Sequence, residues 1–253
     1  MSGHSKWSTI KHKKAAIDAK RGAVFTRLAR EVTVATRAGN SGDPAMNFRL
    51  RLIMDKAKAA NMPSENIDRA IKKGLGIGAD GTVFEEITYE GYGPGGAAIM
   101  LMALTDNRNP TAAEVRSTFS KAGGNIGEPG SVGWMFESMA VINVDEVSGE
   151  KAEEIELAAI DAGADDFKSE EDGSLEITGP PSSLQALLEC VKSQGLEASN
   201  AVVTMVPKTT MDLDTARAGQ TMRLIDKIEE LDDIQEVYTN AEFTDEAIEA
   251  YGA

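Results

Sequence analysis

The residues of this 253-residue chain with the clearest chemical meaning are the lysines and arginines of its first third. Residues 1–76 carry 16 Lys and Arg against 6 Asp and Glu, a net charge of +10, whereas residues 77–253 carry 10 against 35, a net charge of −25. Cations at this density repel one another unless anions neutralise them, and phosphate groups are their common partners. The charge division therefore predicts that the basic end contacts a polyanion and that the acidic remainder turns away from it.

Nine residues of the basic end are predicted to contact nucleic acid. Eight are cations that would bind phosphate, and one is an aromatic ring: Lys6, Trp7, Lys11, Lys13, Lys14, Lys20, Arg21, Arg27 and Arg30. Trp7 has two interpretations of equal weight, because its ring could stack on an unpaired base or pack as an ordinary core anchor. The predicted partner is DNA or ribosomal RNA, and the ribosome as a whole is a further candidate.

Two glycine-rich loops of the acidic part are candidate functional loops. Residues 91–96 match the pattern G-x-G-x-x-G, but a strand follows them instead of the helix that would bind a dinucleotide. A turn, or a close approach of another backbone, explains these glycines better. Residues 123–131 are long for a connection between a helix and a strand, which fits either a functional loop or flexible filler. The candidate loop residues are Tyr92, Gly93, Gly95, Asn125, Gly130 and Ser131.

The sequence offers no catalytic or metal-binding constellation. His4 and His12 both lie in the basic end, and the single cysteine, Cys190, is surrounded by apolar residues in an acidic segment. These residues provide no Ser-His-Asp or Cys-His pair and no cysteine-rich zinc site. We therefore expect a protein that is not an enzyme and has no cofactor, metal or small-molecule substrate. No apolar run approaches the roughly 18 residues of a membrane helix and no secretory signal is evident, so we expect a cytoplasmic protein without a membrane partner.

Apolar residues at three- and four-residue intervals place the basic residues on helices. The first helix should end at Gly39, the second should begin at Asp43-Pro44, and the third should begin at Pro63. The arginines of the first helix fall on the side opposite its apolar stripe. Residues 1–76 are therefore predicted to form a three-helix bundle with basic outer faces.

The acidic part is predicted to contain two units that mix helices and strands. Strands at 82–90 and 97–105 begin the first unit, and a helix at 215–231 with a strand at 234–240 returns to complete it. Residues 132–136 are predicted as a further short strand. The intervening order of strand, helix, strand, strand, helix and strand is that of a ferredoxin-like βαββαβ motif. The predicted fold is thus an α+β multidomain protein with three domains: a basic helical domain at 1–76, a discontinuous α+β domain at 77–137 and 207–253, and an inserted ferredoxin-like domain at 138–206.

Blocks spread along essentially the whole chain resemble the YebC/PmpR family. They include Gly3-His4-Ser5-Lys6-Trp7, Asn61-Met62-Pro63, Tyr89-Glu90-Gly91-Tyr92-Gly93-Pro94-Gly95-Gly96, Thr105-Asp106-Asn107-Arg108-Asn109, Gly130-Ser131-Val132 and Val237-Tyr238-Thr239-Asn240. The resemblance implies three domains and non-catalytic control of gene expression without a cofactor. Bacterial members are described as DNA-binding transcriptional regulators and have also been linked to ribosomes stalled at proline-rich stretches, while mitochondrial relatives are translational activators. Pro110 stands where the family has a basic residue, which weakens a phosphate contact at that turn.

Three functional interpretations remain open at this point. Transcriptional control requires a helix that reads base edges in the major groove, and the sequence shows no evident recognition helix. Cations spread over several helix faces suit irregular RNA or non-specific duplex contact better. In the third interpretation the ferredoxin-like unit docks a protein partner.

Overall fold

The computed structural model describes residues 19–77, 84–145, 147, 149–169 and 173–252. Within them the helices are α1 (Ala19–Ala38), α2 (Phe48–Ala59), α3 (Ser64–Gly74), α4 (Arg108–Lys121), α5 (Glu150–Asp161), α6 (Leu184–Ser193), α7 (Thr215–Glu229) and α8 (Asp245–Gly252). The strands are β1 (Glu85–Tyr92), β2 (Ala98–Thr105), β3 (Asn125–Ile126), β4 (Phe136–Val144), β5 (Asp166–Ser169), β6 (Leu175–Gly179), β7 (Asn200–Pro207), β8 (Met211–Asp212), β9 (Ile234–Thr239) and β10 (Ala241–Glu242). The mixed α+β class predicted from the sequence is confirmed.

Helices α1 to α3 pack together as a helical unit (residues 19–77). Its core is formed by the apolar stripes that the sequence predicted, with Val32, Leu50 and Ala57 fully buried. Helix α3 begins directly after Pro63, as expected.

The predicted start of α2 at Asp43-Pro44 is wrong. The cap is Asn47, whose Oδ1 accepts a hydrogen bond from the Leu50 N–H at 3.1 Å. The Asp43 carboxylate instead accepts from the Ala45 N–H within the preceding turn, so its capping capacity is used before the helix begins. Asn47 also donates to the Ala35 carbonyl oxygen at 2.8 Å and thereby ties α2 to α1.

The first sheet has the order β3-β1-β2-β9, and all of its pairs are antiparallel. Strand β9 lies against β2, which confirms that the last predicted strand returns to the first sheet. Helices α4 and α7 contribute the buried side chains Val115, Phe119, Met222 and Leu224 to the core of this sheet.

The second sheet has the order β5-β6-β4-β7 and is also antiparallel throughout. It belongs to an inserted unit (Phe136–Pro207) whose elements run strand, helix, strand, strand, helix, strand. Helices α5 and α6 cover one sheet face, and Ile155 and Leu187 are fully buried against it.

The predicted short strand at 132–136 is wrong. Residues Gly133–Met135 form a 3₁₀ turn, and β4 begins only at Phe136. The reason is that the N–H groups of Val132 and Gly133 bond to a buried carboxylate and are not available to a β-ladder.

Two C-terminal features were not predicted. Strands β8 and β10 form a parallel pair of two residues each, which is too short to leave a periodic pattern. Helix α8 packs against α7, where the Tyr251 hydroxyl donates to the Asp226 carboxylate at 2.6 Å. No helix among the described residues is long and apolar enough to cross a membrane.

Candidate nucleic-acid interface

The predicted contact residues divide into three groups by position. Lys6, Trp7, Lys11, Lys13 and Lys14 lie outside the described residues. Lys20 and Arg21 lie in the first turn of α1. Arg27 and Arg30 lie near the middle of α1, and their side chains contact the acidic part of the chain.

Arg27 and Arg30 both meet an acidic turn (residues 229–233) that joins α7 to β9. Arg30 Nη1 donates to Asp233 Oδ1 at 2.8 Å and to the Asp232 main-chain oxygen at 2.7 Å. Arg27 donates from Nη2 to the main-chain oxygen of Glu229. The structure therefore brings these two predicted phosphate contacts together, and their acceptors are oxygen atoms of the protein itself.

The acidic turn is held in place by its own interactions. Asp233 Oδ2 accepts a hydrogen bond from the Thr111 hydroxyl at 2.5 Å, and the Asp233 carbonyl accepts from the Leu104 N–H at 2.8 Å. The Arg30 guanidinium also lies over the Phe84 ring, 5.6 Å from its centroid. The acidic turn thus presents fixed oxygen atoms to the helical unit.

Helix α2 makes a second set of polar contacts with the acidic part. Lys56 Nζ lies 3.0 Å from Glu236 Oε1 and 3.9 Å from Glu31 Oε1, and Arg49 pairs with Glu86. Burial alone would lower the pKa of Lys56, but the charges of Glu236 and Glu31 outweigh it and raise the pKa above its ordinary value. Burial raises the pKa of Glu31, and nearby Lys56 opposes that rise. Much of the predicted basic outer face is therefore directed at carboxylates of the same chain.

Three cations of the helical unit remain exposed and have no partner among the described residues. They are Arg37, Arg69 and Lys72. Arg37 lies in the last turn of α1 and Lys72 in the last turn of α3. A Cβ added at Gly74 would lie only 2.6 Å from the Thr33 carbonyl oxygen, so the two helix ends approach closely. The adjoining ends of α1 and α3 thus form a basic surface whose residues are not among those predicted from the sequence.

The two glycine-rich loops meet around Glu90, a residue whose role the sequence did not indicate. Its carboxylate accepts hydrogen bonds from three main-chain N–H groups: Gly130 at 2.8 Å, Val132 at 2.7 Å and Gly133 at 2.6 Å. The side chain is 9% exposed. Burial alone would raise the pKa of Glu90, but the three N–H donors prevail and lower the pKa below its ordinary value. The loop at 127–133 is therefore wrapped around an internal anion.

Four candidate loop residues, Tyr92, Asn125, Gly130 and Ser131, come together beside Glu90. Tyr92 donates from its hydroxyl to the Ser131 carbonyl oxygen at 3.0 Å. Asn125 pairs with Tyr92 in the short β1–β3 ladder. A Cβ at Gly91 would lie 2.6 Å from the Asn125 carbonyl oxygen, which confirms that the glycine-rich segment allows a close backbone approach.

Gly93 and Gly95 lie at the tip of the β1–β2 hairpin. Gly93 adjoins the second glycine-rich loop, since a Cβ added at Gly124 would lie 3.4 Å from the Gly93 Cα. Gly95 has φ +84°, and a Cβ there would lie 3.0 Å from side-chain atoms of Arg217 and Leu213. The hairpin tip therefore contacts the start of α7. Trp134 follows the second loop; its side chain is 68% exposed and its indole N–H donates to the Ser131 carbonyl oxygen at 3.1 Å.

The described residues show no arrangement of three His, Cys, Asp or Glu side chains that could hold a metal ion. Cys190 is partly buried, and that burial, together with the charge of Asp161, raises the pKa of its thiol. A raised pKa leaves the thiol protonated and weakly nucleophilic at neutral pH.

Comparison with known families accounts for nearly the whole chain. Residues 5–77 match the model described as the TACO1/YebC protein N-terminal domain, and residues 84–241 match the TACO1/YebC second and third domain. The chain belongs to the TACO1/YebC family. This confirms the resemblance drawn from the sequence blocks.

Two relatives within the TACO1/YebC family have nearly the same length as this chain. One from Roseiflexus castenholzii is 52% identical over 253 residues, covering 99% of both chains, and one from Moorella thermoacetica is 52% identical over 243 residues, covering 96% of both. Each is named a probable transcriptional regulatory protein, which is the name of a regulator and not of an enzyme.

A solved structure has the same fold. The crystal structure of a conserved hypothetical protein from Aquifex aeolicus superposes with a TM-score of 0.80 at 45% sequence identity, covering 93% of this chain and 96% of that one.

Proposed function

We propose that this protein is a non-enzymatic regulator of gene expression that binds nucleic acid in the cytoplasm through its basic N-terminal domain. The charge division carries the proposal, because residues 1–76 have a net charge of +10 and the rest of the chain −25. A polyanion is attracted to the basic end and repelled elsewhere, which gives the complex one orientation.

The exposed cations of the helical unit support this proposal. Arg37, Arg69 and Lys72 are exposed without a partner among the described residues, on helices whose last turns adjoin. Free cations at adjoining helix ends are suited to phosphate oxygens, which bind without regard to base sequence. The proposed interface combines them with the residues expected from the sequence: Lys6, Trp7, Lys11, Lys13, Lys14, Lys20, Arg21, Arg27 and Arg30.

We also propose the domain division drawn from the sequence. The basic helical domain spans residues 1–76, the α+β domain 77–137 and 207–253, and the inserted ferredoxin-like domain 138–206. Separate buried clusters in the helical unit, the first sheet and the second sheet support this division. The loop residues Tyr92, Gly93, Gly95, Asn125, Gly130 and Ser131 then lie on the α+β domain.

Fluorescence anisotropy with the full-length protein and a labelled random-sequence duplex tests the proposal. Double charge reversal at Lys13 and Lys14, or at Arg37 and Lys72, should weaken binding and flatten the salt slope by roughly 0.9 per lost phosphate contact. The matched control is the double reversal Lys192→Glu with Lys227→Glu, which changes the net charge equally on exposed lysines of α6 and α7. Equal loss in test and control variants would disprove an interface at the basic end.

The same assay distinguishes the kinds of nucleic acid. Unlabelled promoter duplex, random duplex and structured ribosomal RNA compete separately at near-physiological salt. Preferential displacement by one promoter duplex supports transcriptional control. Displacement by ribosomal RNA alone would instead identify a translation factor, and no displacement by any nucleic acid would favour a protein partner.

A further inference from the structure

We infer that the acidic turn (residues 229–233) and nucleic acid compete for Arg27 and Arg30, so that the protein limits access to part of its own interface. This inference rests on the proposed function, since it concerns the regulation of the same site. It starts from an observation of position: two arginines expected to bind phosphate are covered by an acidic segment of the same chain.

The acidic turn offers Arg30 oxygen acceptors similar to those of a phosphate group. Arg30 Nη1 lies between a carboxylate oxygen of Asp233 at 2.8 Å and the main-chain oxygen of Asp232 at 2.7 Å. Paired, closely spaced oxygens are what a guanidinium recognises in a phosphodiester. Within the turn and its borders, four acidic residues add negative charge around this contact: Glu229, Glu230, Asp232 and Asp233.

The contact between α1 and the acidic turn is polar, and it leaves one hydrogen-bond donor of Arg27 without a partner. Arg27 Nε is buried and has no hydrogen-bond partner among the described residues. A buried donor without an acceptor costs free energy, and that free energy would be recovered if α1 separated from the acidic turn. The contact with the acidic turn therefore leaves one N–H donor of Arg27 unused. A phosphate group, which has several oxygens, could accept a hydrogen bond from that donor as well.

The side chains between the helical unit and the acidic turn also leave space unfilled. A cleft of about 410 Å³ lies beside Arg30, and its lining includes Glu114, Glu230 and Asp232. The two buried apolar clusters of the helical unit draw their residues from the helical unit alone. Its contacts with the first sheet and the acidic turn are mainly polar: ion pairs at Arg30–Asp233, Arg49–Glu86 and Lys56–Glu236, and hydrogen bonds from Arg27 and Arg30 to main-chain oxygens. An apolar contact exists as well, because Leu52 packs against the core of the inserted unit. The exposed pairs Arg49–Glu86 and Lys56–Glu236 are weak and are screened by salt. The side chains of Arg30 and Asp233 are only 20% and 22% exposed, so salt screens that pair less, and a polyanion must replace its oxygens directly.

A double-mutant cycle on the full-length protein tests the competition. Asp233→Asn should tighten binding of a random-sequence duplex, or of structured ribosomal RNA, by about three- to tenfold. The reason is that Arg30 is released from the acidic turn, and so able to bind phosphate, in a larger fraction of the molecules. The control Asp165→Asn removes the same charge from an exposed carboxylate of the inserted unit and should have a much smaller effect. In an Arg30→Ala background, the tightening by Asp233→Asn should disappear, because the two residues act through one contact.

A second variant and a second measurement distinguish the competition from a general loosening of the fold. Glu236→Gln breaks a different ion pair, that with Lys56, and leaves Arg27 and Arg30 bound to the acidic turn. It should therefore change binding much less than Asp233→Asn, and equal tightening would contradict a competition at the acidic turn. Hydrogen exchange should show faster exchange in residues 229–236 when nucleic acid is added. Nucleic-acid binding with unchanged exchange in this segment, or equal tightening by Asp165→Asn, would overturn the competition while leaving the proposed function intact. Failure of every variant to bind nucleic acid would overturn both.

Discussion

Glu90 and Val132 are joined by a hydrogen bond of 2.7 Å in which the Val132 main-chain N–H donates to the Glu90 carboxylate. They lie 42 positions apart in the sequence, on β1 and directly after the second glycine-rich loop. With the Gly130 and Gly133 donors, this bond makes one buried carboxylate the centre around which a functional-loop candidate is built.

The first prediction concerns that carboxylate. Glu90→Gln should lower the free energy of unfolding by about 1–3 kcal/mol, because the amide cannot accept all three N–H bonds and leaves a buried donor unpaired. Urea denaturation measures the change. The control is Glu137→Gln, an exposed carboxylate on β4 that should change stability by less than about 0.5 kcal/mol. Equal effects of the two substitutions would contradict this role of Glu90.

The second prediction is the pH dependence of the same contribution. Because the pKa of Glu90 is lower in the folded protein than its ordinary value of 4.5, its ionised form stabilises the fold above that value. This stability is lost as the pH falls through the lower folded-state pKa. The difference in unfolding free energy between the wild type and Glu90→Gln should therefore be constant from pH 7 to about 5.5 and shrink towards pH 3. A difference that grows on acidification would contradict the assignment.

The third prediction contrasts two glycines. Gly91→Ala should destabilise the protein by about 1–3 kcal/mol, because the new Cβ would lie 2.6 Å from the Asn125 carbonyl oxygen. Gly22→Ala in α1 meets no atom within 4 Å and should instead stabilise by up to about 1 kcal/mol, since alanine favours the helix. Thermal and urea unfolding of both variants give the two signs. A neutral Gly91→Ala would show that β1 and β3 are not closely paired.

The fourth prediction concerns the start of α2. Asn47→Ala should cost about 1–2 kcal/mol, because it removes the cap of α2 and the bond to Ala35. Asp43→Ala, at the helix start expected from the sequence, should cost less, since its carboxylate serves only a local turn. Urea denaturation compares the two variants, and a larger loss at Asp43 would restore the earlier helix start.

Local patterns predicted the elements well and their contacts poorly. The helical unit and most strands follow from apolar periodicity, which depends on neighbouring residues alone. The start of α2 and the turn at 133–135 were missed because a side-chain cap and a distant carboxylate replaced the expected backbone partners. Periodicity carries no information about acceptors far along the chain.

The candidate site shows the same division. From residue types we predicted that Arg27 and Arg30 bind phosphate, and the helical wheel placed them away from the apolar stripe. Their observed partners lie 202 and 203 positions away, so no local pattern could have indicated them. Excess charge of opposite sign in the two parts of the chain was the one available signal that they could bind each other.

The pairing of β9 with β2 has a consequence for synthesis of the chain. Strand β2 ends at Thr105, but its neighbour β9 begins at Ile234, after the whole inserted unit. During translation the inserted unit has all of its own strands by Pro207, whereas the first sheet must wait for nearly the last residues to emerge. The edge of β2 therefore stays uncovered on the nascent chain, and closing that long loop is expected to be the late step of folding.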